Sequence, residues 1–147
     1  MKNYQKKEKY SELMEKLKKS VEEEFYYESI FIIYAVLEDR TESILKHANI
    51  KVTKENNKVL TLNEKLNRIS NEDIFNEEYI KKHLPKDIIS KIHLWKNKRN
   101  ILIHDLVNTE YNSEEIKELA IEGYELIKLI NNKSTLINKH NDKVLTN

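Results

Sequence analysis

One glycine, Gly123, and one proline, Pro85, are all that a chain of 147 residues has for making sharp turns. Hairpin turns draw on glycine and proline at set positions, so a sheet-rich fold is hard to build from this sequence, whereas helices have no such need. The rest of the composition agrees. Lys, Glu, Leu, Ile and Asn dominate and 35% of residues are charged, the make-up of solvated amphipathic helices. The length suits one domain, and there is no internal repeat, sustained heptad pattern or dividing linker. The expected fold is all-α, a single domain over residues 1–147 in which four to five helices pack as a bundle.

The same composition narrows the chemistry. Without cysteine there are no disulfides and no thiolate metal sites. A Gly-rich phosphate loop cannot be made, which removes the ordinary nucleotide-triphosphate enzymes. Neither a His-Glu-x-x-His pattern nor a carboxylate triad occurs, so no metal and no cofactor is expected. No apolar run approaches the ~20 residues that span a bilayer, and the lysine-rich start lacks an apolar segment behind it; the expectation is a cytoplasmic protein without a membrane partner. The bias to lysine, asparagine and isoleucine fits a low-GC bacterial or phage genome. A net charge of +1 gives no overall pull toward nucleic acid, so such binding would need a local patch.

Apolar spacing divides the chain. A helix over Lys2–Lys19, with a thin stripe of Tyr4, Leu13, Met14 and Leu17, leads at Ser20 into a strongly apolar helix running to about Ala48. That helix has apolar surface for more than one face, as a core or subunit-interface helix would. Asn49–Leu60 is a polar loop, and Thr61-Leu62-Asn63-Glu64 is a capping box opening a short helix to about Ile69. A break at Asn71–Asn76 and a brief helix over Glu77–His83 follow. The next helix starts at Pro85 or Lys86 and ends at Leu106, with Ile88, Ile92, Trp95, Leu102 and Leu106 as its buried stripe. After a break at Asn108–Asn112, Asn112 or Ser113 caps a last long helix with Ile116, Leu119, Ala120, Tyr124, Ile127 and Ile130 inside. A polar tail begins at Asn131, where Leu136 and Ile137 add at most a turn.

The chemistry-bearing stretch is Trp95–Leu106. Arg99 offers a permanent charge and a planar fork of donors matched to phosphate oxygens, and His104 can take or give a proton near neutrality. Cleaving RNA requires a base for the 2′-hydroxyl, an acid for the leaving 5′-oxygen and a cation for the phosphorane. One histidine cannot be acid and base at once, so a single copy is one group short. Two copies across a two-fold axis close the count, and the chemistry therefore favours a homodimer. On a helix Arg99 and His104 stand about 140° apart, whereas Asn100 and His104 share a face with Asn97 one turn earlier. Lys96 and Lys98, with Asn97 between them, are the candidate RNA-binding residues beside this pair. Glu38 and Asp39 on the second helix either mark where that helix emerges to solvent or supply a carboxylate that orients His104 or pairs with Arg99. His93 could extend the polar line, while His47, His83 and His140 lie near helix ends, where a cation complements the dipole.

Arg99-Asn100-Ile101-Leu102-Ile103-His104 resembles the Arg-polar-x-x-x-His motif of the HEPN superfamily, whose members are small helical bundles, often metal-independent ribonucleases that dimerise around one composite site. The motif's place on a late helix followed by a final one is also similar. The resemblance implies Arg99 and His104 as catalytic residues and Asn100 as their polar companion, with Glu38 or Asp39 matching an acidic residue from an earlier long helix. It further implies an RNA substrate and a toxin of a toxin–antitoxin or phage-defence system, with a cognate antitoxin protein as partner. Members paired with a nucleotidyltransferase antitoxin commonly carry a tyrosine two residues after the histidine; here Leu106 stands there. Two other readings use the same bundle: a non-cleaving dimer that binds RNA, nucleotide or a partner protein, and a regulatory helical scaffold.

Overall fold

A computed structural model describes residues 3–47, 49–71, 86–106 and 113–146, and for residues 3, 71, 86 and 132–146 it describes the backbone alone. Among the described residues the chain forms five helices: α1 (Asn3–Glu22), α2 (Tyr26–His47), α3 (Leu62–Asn71), α4 (Lys86–Asp105) and α5 (Ser113–Thr146). They pack as one bundle with α2 at its centre, against α1, α3 and α5, while α4 packs on α5 and α3.

The continuous passage from α1 into α2 expected at Ser20 is broken by a turn. Phe25 N–H bonds the Ser20 carbonyl at 2.8 Å, Glu24 N–H bonds that of Val21, and Glu24 takes a φ of 63°. This is a Schellman cap, which normally uses glycine at its left-handed position; a glutamate there gives no sequence signal. The buried hydroxyls of Ser20 and Ser29, 2.7 Å apart, pin the two helices together just inside the turn. The end of α2 repeats the device with a more readable residue, Asn49 at φ 60°, and Ile50 N–H bonds the Leu45 carbonyl.

The loop that follows is more ordered than its polarity suggests. Thr53 and Val59 form an antiparallel bridge around a turn in which Asn57 has a φ of 64°. The capping box of α3 is present in both directions: Thr61 N–H reaches Glu64 Oε1 and Glu64 N–H reaches Thr61 Oγ1, each at 3.2 Å.

The core is filled by Leu17, by Ile30, Ile33, Val36, Leu37, Ile44 and Leu45 of α2, and by apolar residues of α3, α4 and α5. Trp95 is its largest fully buried side chain; the indole N–H donates to the Leu119 carbonyl at 2.8 Å. Gly123 makes room for it, since a Cβ there would lie 2.7 Å from Trp95 Nε1 and 2.9 Å from Ile33 Cδ1. The chain's one glycine thus serves close packing of α2, α4 and α5, not a turn.

Two expectations change. The last helix does not stop near Asn131 but runs to Thr146. Leu106 is exposed, not part of the buried stripe of α4, whereas Ile89 belongs to it. Phe25 and Phe31 are exposed on α2 and its entry, so this helix carries apolar surface outside the core as well as within it. The brief helix at Glu77–His83, the helix start at Pro85 and the break at Asn108–Asn112 lie outside the described residues. No described helix is long and apolar enough to cross a membrane.

Candidate functional site

Helix α4 buries Ile88, Ile89, Ile92, Trp95 and Lys96, an arc centred at about 60° if Trp95 is set at 0° and each residue adds ~100°. Arg99 falls at about 40° on this wheel, inside that arc, and His104 falls at about 180°, outside it. Accordingly Arg99 is partly buried and His104 is exposed. The two side chains named for catalysis leave one helix on different sides.

Arg99 is held against α2. Its guanidinium carbon lies 4.0 Å from the centre of the Tyr34 ring, a cation–π stack worth about 0.5–2 kcal/mol depending on desolvation. Its Nη1 donates to Asn100 Oδ1 at 3.1 Å, and its Nε–H is buried with no acceptor. Glu38 follows one turn along α2, and its charge acts on the Tyr34 phenol. Burial raises the Tyr34 pKa above the ordinary phenol value, the Glu38 charge adds to that, and the Arg99 charge opposes it. Arg99, Asn100, Tyr34 and Glu38 thus form one cluster across α2 and α4.

The other acidic candidate belongs elsewhere. Asp39 takes a short hydrogen bond from Arg40 and an ion pair from Lys6 at 3.4 Å. Arg40 also stacks 4.2 Å over the Tyr10 ring, whose hydroxyl bonds Asn131 at 2.6 Å. Burial alone would raise the Asp39 pKa, but the hydrogen bond and charge of Arg40, helped by Lys6, outweigh it and hold the carboxyl below its usual range. This network joins α1, α2 and α5; of the two neighbouring carboxylates only Glu38 reaches the Arg99 cluster.

The three polar residues before Arg99 separate as well. Lys96 is buried and its ammonium donates to Asn63 Oδ1 of α3 at 2.6 Å, an inward role that the sequence reading did not assign it. Lys98 is exposed and pairs with Glu122 of α5 at 3.2 Å. Asn97 is exposed and lies on the His104 side of α4. His93 is partly buried beside Lys96; burial and then the lysine charge push its pKa below the ordinary imidazole value.

His104 shares its stripe with Leu94, Asn97 and Ile101, spaced at i, i+3, i+7 and i+10. Leu94 is 59% and Ile101 63% exposed, so the histidine sits on an apolar, uncovered face. Sequence reasoning missed Tyr34 and a second buried lysine, Lys65, whose ammonium faces the Glu38 carbonyl at 3.5 Å. The signal for Tyr34 was its i, i+4 spacing to Glu38; none existed for Lys65.

A separate cavity of about 360 Å³ lies between the starts of α2 and α5, lined by Tyr26, Tyr27, Lys117 and two carboxylates, Glu24 and Glu114. Those carboxylates stand where two helix N-termini would otherwise favour an anion. No group of three or more potential metal ligands occurs among the described residues. The chain matches no protein-family model, no curated protein and no solved structure.

Proposed function

We propose that the chain is a metal-independent endoribonuclease of the HEPN type, acting as a homodimer with Arg99 and His104 in a composite site and Asn100 beside them. A toxin of a toxin–antitoxin or phage-defence system is the setting this reading implies, with a cognate antitoxin as partner. The observation that carries it is the division of labour on α4. Arg99 is fixed against Tyr34 and Asn100, while His104 stands on the exposed side with uncovered Leu94 and Ile101. One chain therefore presents an ordered cation and, some way round the helix, an exposed imidazole beside apolar surface. A second copy brought against that surface adds the imidazole and guanidinium that a single copy lacks.

In this mechanism one His104 removes the 2′-hydroxyl proton as that oxygen attacks phosphorus, and the histidine of the second copy protonates the departing 5′-oxygen. Arg99 carries the charge that builds on the phosphorane oxygens, and Asn97 and Lys98 flank the strand. The test is cleavage of labelled RNA in EDTA by the wild-type, Arg99→Ala and His104→Ala chains. Cleavage by the wild type alone is the expected result; loss of activity in EDTA that a divalent ion restores would refute the mechanism.

One observation favours the second reading, a dimer that binds RNA or another ligand without cutting it. The Arg99 guanidinium is already engaged by Tyr34 and Asn100 and stands well round the helix from His104 of its own chain. RNA bound alike by the wild-type and His104→Ala chains, and cleaved by none of the three, would decide for it.

A further inference from the structure

The stack beneath Arg99 has a consequence for how that residue meets a phosphate. A guanidinium has two distinct surfaces: a flat π face, and a rim of N–H donors in its plane. Tyr34 engages the face, at 4.0 Å from its ring centre. Stacking consumes no donor. Among the described residues only Asn100 accepts from the rim, through Nη1. The Nε–H is enclosed without an acceptor, an unpaired buried donor that costs free energy, so the ring contact is what holds the arginine stem.

Resting on the nuclease reading, we infer that Tyr34 is the positioning residue for Arg99, its ring holding the guanidinium by its face so that the donor rim stays open for a single phosphate group of RNA. An ion pair with a carboxylate would hold the arginine as firmly, but it would occupy the donors that phosphate needs. Here the carboxylate is one step removed. Glu38 acts on the Tyr34 phenol, which leaves the guanidinium rim to the substrate. Tyr34 and Glu38 are one turn apart on α2, whose flank is buried in the core through Ile33, Val36 and Leu37; the platform is therefore rigid. An arginine without it would sample many rotamers, and ordering them on binding would cost affinity and rate.

The test reads Arg99 directly. The chain has three arginines, Arg40, Arg68 and Arg99, so Nε–Hε signals in an NMR spectrum can be assigned with Arg99→Ala. The Arg99 signal should be displaced by the Tyr34 ring current and exchange slowly with water. Tyr34→Phe should keep that signature, and Tyr34→Leu should return it to the position of a free arginine. On RNA, Tyr34→Leu should lower kcat/KM by about tenfold to hundredfold, with Tyr34→Phe close to wild type and both helical by circular dichroism. An Arg99 signal unchanged in Tyr34→Leu would overturn the inference, as would full cleavage by that variant. If Tyr34→Leu does not fold, the wild-type and Tyr34→Phe spectra still decide, because an undisplaced, fast-exchanging signal in both also overturns it. The nuclease reading fails separately, when Arg99→Ala and His104→Ala cut RNA as the wild type does; the positioning role then falls with it even if the NMR stack is present.

Discussion

The guanidinium carbon of Arg99 lies 4.0 Å from the centre of the Tyr34 ring, and Glu38 follows one turn along α2, so a cation, a π face and a carboxylate stand in series where α4 meets α2. The series makes Tyr34 a reporter of both neighbours. Its pKa is raised by burial and by Glu38 and lowered by Arg99. Glu38→Gln should therefore bring it down, and Arg99→Ala should send it further up, in a UV difference titration of the phenols. The sign for stability follows: with the folded value above the unfolded one of about 10, the contribution is complete below that pH and is lost as pH rises through the folded value. Movement of Tyr34 in the same direction in both variants would contradict this arrangement.

Gly123 gives a prediction about packing. In a helix Gly→Ala ordinarily gains about 1 kcal/mol. Here the new methyl would lie under 3.0 Å from Trp95 Nε1, Trp95 Cε2 and Ile33 Cδ1. Trp95 cannot easily yield, being wholly buried and tied to the Leu119 carbonyl. Overpacking of this kind costs about 1–3 kcal/mol, enough to exceed the propensity gain. Gly123→Ala should lower the Tm of thermal unfolding, and a raised Tm would show that the α2–α4–α5 contact is looser than described.

Much of this was legible in the sequence, for identifiable reasons. Scarcity of glycine and proline and the helical apolar spacing led to an all-α bundle, and Thr61 with Glu64 marked the start of α3 to the residue. The cap after α1 was not legible, because a glutamate occupies the left-handed position at Glu24. The extension of α5 to Thr146 was hidden by polar residues that form helix without marking a buried face. At the site, the helical wheel already placed Arg99 and His104 about 140° apart. What it could not say is which of the two faces inward. Spacing along one helix carries no information about the neighbour across it, so the Tyr34 platform, the separate fates of Glu38 and Asp39, and the inward turn of Lys96 emerged only from the packing.

Lys96 and His93 provide a third test. Burial, and then the charge of Lys96, keep His93 below the usual imidazole pKa. A depressed folded value means that the neutral form is favoured, so this contribution is present above about pH 6.5 and is lost as pH falls through the folded value. Lys96→Met removes the charge and fills similar space, leaving Asn63 exposed to bond water. His93 should then titrate at higher pH by NMR, with stability unchanged or slightly raised. RNA affinity should fall less than in Lys98→Ala, since the Lys98 ammonium is at the surface. A larger loss of RNA binding in Lys96→Met would restore Lys96 as a contact residue.

The uncovered stripe on α4 can be tested without touching the chemistry. Leu94 is exposed and one turn from Lys98, so Leu94→Glu adds a charge at a helix-compatible position and should shift stability by no more than about 0.5 kcal/mol. If this face meets a second copy, a buried glutamate there would be costly. Light scattering at micromolar concentration should show monomers, and RNA cleavage should fall with the dimer. A Leu94→Glu protein that stays dimeric and active would place the subunit contact elsewhere on the molecule.

His104 separates enzyme from binder. As an exposed residue near the end of α4 it contributes little packing, so His104→Ala should change unfolding free energy by no more than about 0.5 kcal/mol. Acting as base or acid, it should account for about 10²-fold or more of the cleavage rate. Arg99→Lys keeps the charge but loses both the planar stack on Tyr34 and the fork, so it too should cut the rate strongly. RNA affinity should respond in the opposite order. Arg99→Ala should weaken binding more than His104→Ala, because only the arginine carries a standing charge for phosphate. In cells the wild-type chain should arrest growth and the His104→Ala chain should not. Should His104→Ala cut RNA at the wild-type rate, the imidazole takes no part in the reaction and the Arg99–Tyr34–Glu38 cluster serves binding alone.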